Sequence, residues 1–493
     1  MELEVTNSWV AGSFPLPLYE AIDTACSAPI HYPAYKKMME YHVAKAHRTR
    51  QSWCRWCLGY KTHTPIHWVS RREVVKCLIP TGLLPRLTNV LHERGVFPSV
   101  LDLRQRPTRL MGTPPAISMR DYQQDVADAT AEAPRGMWQA PVGSGKTRML
   151  VAAALERDVR SLLIVPSRQI MEQFVEAHEE LAGAKPGVIG GGKWEPADIT
   201  IGLLPMLAKH RGEPAYKALM ETLGLVGIDE FHHGAARTWF EVIQDTDAYY
   251  RYGQSATLHR EDGMDIFLEA AVGPTLARVN EGELIDQGWL ARPLVRVVHV
   301  PGCLREDTFR AAEDQNIFGS STPISLTHAI CASHAADKVI VLVTRIPFGA
   351  ELATALADGT RSVGWVNGKT KASETKEVIA TFRREPRAVL VTTQMLDEGF
   401  DAPDANVLVL PCGGKSEIKH KQRIGRVMRP KEGTNEAVVY DVVYHDTGFL
   451  YRHGMTRMRR YRTWGWPVQH YTYRGGRIVQ DEADANVYAT AGE

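Results

Sequence analysis

Short aliphatic runs without polar alternation constrain this chain most. Ser161-Leu-Leu-Ile-Val-Pro166 and Leu223-Gly-Leu-Val-Gly-Ile-Asp229 fall in one stretch. Lys338-Val-Ile-Val-Leu-Val-Thr344, Ala388-Val-Leu-Val-Thr-Thr393 and Asn406-Val-Leu-Val-Leu410 fall in another. A strand with one wet face alternates apolar and polar residues, whereas unbroken aliphatic runs mark strands buried on both faces. Each run leads into a polar stretch of helical length, so two parallel sheets covered by helices are expected: an α/β pattern, written twice. Asp286-Gln-Gly-Trp-Leu-Ala-Arg-Pro293 breaks the rhythm, and Pro107, Gly112, Pro114 and Pro115 read as a linker. The expected division is a basic N-terminal region at 1–112, α/β domains at 113–290 and 291–445, and an extension at 446–493.

Composition adds limits. Of 493 residues, 44% are apolar and 23% charged, which excludes disordered, collagenous and disulfide-scaffold chains. Seven cysteines in no even framework suggest a reducing compartment. Glu2 and Glu4 stand where a signal peptide would carry basic residues, and no apolar run has the length of a membrane span. A cytoplasmic protein with no membrane partner is therefore the expectation. The 58 Lys and Arg nearly balance 57 Asp and Glu, but residues 1–112 carry 15 basic against 8 acidic residues and the span 445–493 carries 7 against 5. The centre is acidic, so a polyanion would meet the termini or a local groove.

Ala140-Pro-Val-Gly-Ser-Gly-Lys-Thr147 sits between the apolar Met137-Trp138 and a helix-forming stretch from Arg148. That is the strand, loop and helix setting of a phosphate cradle. Gly143 and Gly145 let the backbone around Pro141, Val142 and Ser144 turn and aim N–H groups at phosphate oxygens. Lys146 would reach the terminal phosphates of ATP, and the Thr147 hydroxyl would ligate Mg²⁺. Asp229-Glu-Phe-His232 follows a buried run, so its carboxylates emerge at the carboxyl end of a strand. Asp229 is expected to hold Mg²⁺ and Glu230 to orient or deprotonate the attacking water.

These motifs resemble those of superfamily 2 helicases, and the resemblance continues in order over about residues 115 to 445. Arg120-Asp-Tyr-Gln123 looks like the adenine-recognising Q motif, with Arg120 and Gln123 its contacts. Ala140 to Thr147 is similar to motif I, Leu163-Ile-Val-Pro-Ser-Arg168 to motif Ia and Asp229-Glu-Phe-His232 to a DExH motif II. Ser255-Ala-Thr257 resembles motif III, which links hydrolysis to nucleic-acid movement in the family. Val391-Thr-Thr-Gln-Met-Leu-Asp-Glu-Gly-Phe-Asp401 matches motif V and Gln422-Arg-Ile-Gly-Arg-Val-Met-Arg429 motif VI. The resemblance implies two tandem RecA-like domains with parallel sheets, preceded by a small α+β domain. It implies nucleotide contacts from Gly399, Asp401 and Gln422, and nucleic-acid contacts from Arg168 and Thr393.

Motif VI also has its own logic. Gln422, Arg426 and Arg429 share one helix face. Two arginines opposite a phosphate loop can stabilise charge on a transferred γ-phosphoryl group, as arginine fingers do.

Phe231 and His232 argue against a DEAD-box RNA helicase. The wording Glu398-Gly-Phe-Asp-Ala-Pro403 and Ile424-Gly-Arg-Val-Met-Arg-Pro430 is most similar to the XPB, UvsW and restriction-motor group. The pattern from Val69 to Pro85, a helix to Arg94-Gly95 and a strand at Val100-Leu-Asp-Leu-Arg104 resembles the duplex-recognition module of phage UvsW-type branch-migration helicases. In that region Lys45, Arg48, Arg50, Arg55, Lys61, Arg71, Arg72 and Lys76 alternate with Trp53, Trp56, Tyr60 and Trp68. Such a composition grips phosphates and stacks bases, or forms an aromatic core under a basic surface. Cys54-Arg-Trp-Cys57 has His63, His67 and Cys77 as possible zinc partners, but the spacing is tight for zinc, and unligated cysteines are favoured. The stretch from Tyr451 to Arg477 holds seven arginines and no acid. It could contact a DNA backbone or pack as a helix on the second α/β domain.

The expectation is an ATP- and Mg²⁺-dependent DNA helicase or translocase, a monomer, acting on branched or forked DNA, duplex and single strands, in the cytoplasm of a host if phage-encoded. The alternatives are another superfamily 2 motor (repair unwinding, a restriction or defence subunit, an RNA helicase) and, farther off, an ATP-gated nucleic-acid-binding module without translocation.

Overall fold

The computed structural model describes residues 1–29, 62–63, 66–71, 74–110, 112, 116–233, 237–258, 265–393, 405–412, 421, 424–425, 435–446 and 448–481; for 62–63, 67–71, 233, 237 and 372 the description is of backbone alone. The chain separates into two compact units, residues 1–141 with 145–280 and residues 142–144 with 281–493. The division therefore falls before the expected break at Gly288–Pro293. The physical reason is that Glu281 pairs with Lys421 at 2.7 Å and Ile285 packs into the core of the second unit.

The first unit contains an eight-stranded sheet in the order Lys193–Glu195, Gly187–Gly190, Ile199–Leu203, Ser161–Val165, Leu225–Ile228, Tyr250–Ser255, Arg135–Gln139, Thr275–Arg278. Every pairing is parallel except the 187–195 hairpin. The runs read as doubly buried strands are that: Ser161–Val165 and Leu225–Ile228 are buried at every residue.

The same unit carries a small module with the strand order His67–Arg71, Val74–Pro80, Trp9–Pro15, Glu2–Val5, Ser99–Asp102 and helices Leu16–Ala25 and Leu84–His92. This module shares its core with the eight-stranded domain, because Leu83, Leu87 and Val90 pack in one cluster with Ile266 and Ala270 of helix Asp265–Val272. A Cβ on Gly82 would overlap the backbone oxygen of Glu269. The contact has a polar half. Arg251, 1% exposed, donates to the Ser8 hydroxyl at 3.0 Å, and that hydroxyl donates to Asp247 at 2.6 Å. Asn7 donates to the backbone oxygen of Asp247, and Arg135 donates to that of Asn7. Burial pushes the Arg251 guanidinium down to about 10 and that of Arg135 well below its usual range. Two largely desolvated guanidinium groups thus take part of their hydrogen bonding from oxygens of the small module, the rest coming from Thr246, Ala248 and Ala271.

The second unit is an eight-stranded sheet in the order Ser362–Val366, Ala388–Thr392, Val339–Leu342, Val407–Leu410, Glu436–Tyr444, Arg292–Val300, Val468–Arg474, Arg477–Gln480. All pairings are parallel except the terminal hairpin, whose turn is Gly475-Gly476 with φ of 55° and 78°. The residues read as an arginine-rich extension are built into this sheet. Helix Phe449–Thr463 buries Leu450, Met458 and Tyr461 against it, and Val468–Arg474 pairs with Arg292–Val300. Of the two alternatives for this stretch, packing on the second domain is the one observed.

No helix among the described residues is long and apolar enough to cross a membrane. Cys54 and Cys57 lie outside the described residues. Cys77 is buried, with its thiol pushed up to about 12 by burial, and no group of three or more metal-ligating side chains occurs among the described residues.

Candidate functional site

In the first unit the site is assembled at the carboxyl edge of the sheet. Strand Arg135–Gln139 ends in the loop from Ala140, and the chain re-enters regular structure as helix Lys146–Arg157. Gly143 and Gly145 have φ of 86° and 79°, in the left-handed region that favours glycine. The helix therefore starts abruptly, with the free N–H groups of its first turn directed out of the helix start. Lys146 Nζ donates to the backbone oxygen of Pro141 at 3.3 Å, which holds the ammonium over the loop. Thr147 is half-buried, and Ser144 fully buried.

Helix Asp121–Glu132 delivers the Q-motif residues. Gln123 accepts at Oε1 from the Arg120 backbone N–H at 3.1 Å, while its amide nitrogen stands 2.6 Å from where a Cβ on Gly145 would be. The Arg120 guanidinium donates to Tyr122 at 3.1 Å. These two residues and the glycine loop are thus neighbours.

The acidic turn follows strand Leu225–Ile228. Asp229 is 5% exposed, its backbone N–H donates to the Ile164 oxygen at 3.0 Å, and Gln254 Nε2 donates to its carboxylate at 2.9 Å. Burial and the adjacent Glu230 raise its pKa to about 6, against the opposing pull of Lys146 and Gln254. Glu230 adopts φ 47°, unusual for a residue with a side chain, and its carboxylate lies 3.3 Å from His232 Nδ1. His232 Nδ1 also meets Ser255 Oγ at 3.0 Å, and that hydroxyl accepts from the Thr257 backbone N–H at 3.3 Å. The DExH and Ser-Ala-Thr segments are therefore joined by side chains. Gly253 makes room for this, since a Cβ there would collide with Phe231.

The other expected residues are placed as follows. Arg168 opens helix Arg168–Ala182, capped by Ser167, and is exposed beside Gly191. Thr393, 8% exposed, follows strand Ala388–Thr392 of the second unit. Arg71 ends strand His67–Arg71. Arg72, Gly399, Asp401, Gln422, Arg426 and Arg429 lie outside the described residues. Sequence reasoning missed Gln254, whose signal was a polar residue at the end of a buried strand immediately before Ser255.

The glycine loop, the helix start and the acidic turn on a parallel sheet define a P-loop protein of RecA-like architecture. The oxygen donors fit a nucleotide-borne divalent cation, which keeps most of its waters and phosphate ligands and takes one or two protein oxygens; Asp229 and Thr147 supply that number. Residues 116–260 match the family described as type III restriction enzyme, res subunit, and residues 323–431 match the helicase conserved C-terminal domain. The chain is 29% identical over 346 residues to DNA 3'-5' helicase XPB of Mycobacterium tuberculosis, covering 67% of this chain and 61% of that one. It is 25% identical over 375 residues to DNA 3'-5' translocase XPB2 of Sulfurisphaera tokodaii, covering 67% and 82%. The structure of the ATP-dependent type ISP restriction-modification enzyme LlaBIII bound to DNA shares the fold, with TM-score 0.55 and 15% identity over 77% of this chain and 32% of that one. Together these matches support a superfamily 2 helicase of the group that includes XPB and the restriction motors. It spans 57–65% of the length of several of the curated relatives it matches.

Proposed function

We propose that this protein is an ATP-dependent DNA translocase or helicase that remodels branched or forked DNA. The observation that carries the reading is the meeting, on one sheet edge, of a glycine-turned helix start bearing Lys146 with a buried Asp229 and a backbone-constrained Glu230. Lys146 and the first-turn N–H groups bind phosphate oxygens. Thr147 and Asp229 hold magnesium, which when bound neutralises phosphate charge. Glu230 takes a proton from, or orients, the attacking water, and His232, tied to Ser255 through Nδ1, lies 3.3 Å from its carboxylate. Arg120 and Gln123 recognise adenine; Pro141, Val142, Gly143, Ser144 and Gly145 shape the loop. Gly399, Asp401 and Gln422 complete the nucleotide contacts, and Arg426 and Arg429 stabilise the developing charge.

DNA is assigned to Arg168 and Thr393 on the motor and to Arg71 and Arg72 on the small module. The names of the XPB relatives favour 3'-5' movement on DNA over RNA. A restriction or defence duty is the second reading, favoured by the res-subunit match. ATPase stimulation and strand displacement compared on single strands, duplex, fork, four-way junction and RNA separate these. Fork and junction should stimulate most; a plain-duplex preference without strand displacement favours the second reading, and stimulation by RNA alone contradicts both.

A further inference from the structure

Strand Tyr250–Ser255 runs between the strand that ends in Asp229 and the strand that ends in the phosphate loop, with Gly253 level with Ile228 and Gln254 level with Trp138. Its last two residues thus abut the acidic turn. Ser255 reaches His232, and Gln254 reaches Asp229.

Gln254 is fully buried. A carboxylate only accepts, so the amide must present nitrogen to Asp229 and commit its oxygen elsewhere. That oxygen is buried and has no hydrogen-bond partner among the described residues. An orphaned buried acceptor destabilises a fold, and a leucine of similar volume would have filled the position without one. Stability alone therefore does not account for an amide here. What the amide does supply is a fixed donor on one oxygen of Asp229, which restricts rotation of the carboxylate and leaves its other oxygen to face a cation.

We propose that Gln254 is a positioning residue whose side-chain N–H sets the orientation in which Asp229 receives a nucleotide-bound divalent cation. The inference rests on the metal role given to Asp229 above. It acts through Asp229 and touches neither nucleotide nor metal.

The test is binding of a fluorescent ADP analogue by the full chain, titrated with magnesium and repeated in EDTA, for wild type and Gln254→Leu, with thermal unfolding of both. Gln254→Leu should raise the magnesium concentration for half-maximal binding about tenfold, as expected for one lost hydrogen bond to a carboxylate. Affinity in EDTA should stay within about twofold, and the unfolding temperature should change little, because loss of the donor to Asp229 is offset by removal of the orphaned oxygen. An unchanged magnesium requirement, or a parallel loss of affinity in EDTA, would overturn the proposal. If Gln254→Leu does not fold, Gln254→Met carries the same comparison. Wild-type binding that ignores magnesium would instead overturn the metal role of Asp229 itself, and this inference with it.

Discussion

At the scale of single residues, Arg457 shows what separates a basic sequence from a basic surface. It belongs to the acid-free run from Tyr451 to Arg477, yet it is 2% exposed and donates to both oxygens of Asp441, each at 2.8 Å. Tyr461 donates to the same carboxylate at 2.7 Å. Breaking such a pair strands a buried charge, so Arg457→Ala should cost about 3–5 kcal/mol, whereas replacing Arg457 and Asp441 together by apolar residues should cost much less. Urea unfolding of both variants checks this; equal losses would contradict the pairing. Spacing could not single Arg457 out of seven arginines, because its partner comes from another element. The placement of the phosphate-loop residues was legible for the opposite reason: Gly143 and Gly145, beside Lys146 and Thr147 in the sequence, set the turn that starts their helix. Gln254 and Ser8 were not, since each matters through a residue distant in sequence.

At the scale of elements, the doubly buried strands were legible because burial on both faces writes itself as an unbroken aliphatic run. Val468–Arg474 is less legible because it pairs near the sheet edge and mixes polar with apolar residues, leaving the turn Arg-Gly-Gly-Arg as its main signal. That strand carries one end of a histidine chain. His299 meets His445 at 2.8 Å and His470 at 3.0 Å, so three rings from neighbouring segments share their protons in one donor sense. Burial, then the two neighbouring imidazoles, lowers His299 from 6.5 to about 3, with Asp441 opposing; burial also lowers His445 against Asp446, and His470 with Arg462 adding and Asp481 opposing. Below the unfolded pKa the unfolded chain takes up protons that the folded one refuses. The stability is therefore complete above about pH 6.5 and is lost as pH falls towards 3, with His299 alone removing about 2 kcal/mol by about pH 5. Urea midpoints across that range should fall for wild type and flatten for His299→Gln. Parallel slopes would show that the chain is not what titrates.

At the scale of the molecule, the near balance of 58 basic against 57 acidic residues conceals a basic small module joined to an acidic motor fold. The module shares one core with the first motor sheet, and its Asn7 and Ser8 contacts fall at the amino-terminal ends of strands Arg135–Gln139 and Tyr250–Ser255, away from the phosphate loop. DNA gripped by that module would thus be carried with the nucleotide site as one body. The proposed phosphate contacts would make binding salt-sensitive even though the net charge is +1. Coupling between DNA and nucleotide hydrolysis through Glu230 is the centre of the proposed function. The most direct measurement is steady-state ATPase with and without forked DNA, for wild type and Glu230→Gln, alongside nucleotide binding. Wild type should be stimulated by the fork, and Glu230→Gln should bind nucleotide normally with hydrolysis reduced by about 10²-fold or more. DNA-stimulated hydrolysis that survives Glu230→Gln would contradict the account.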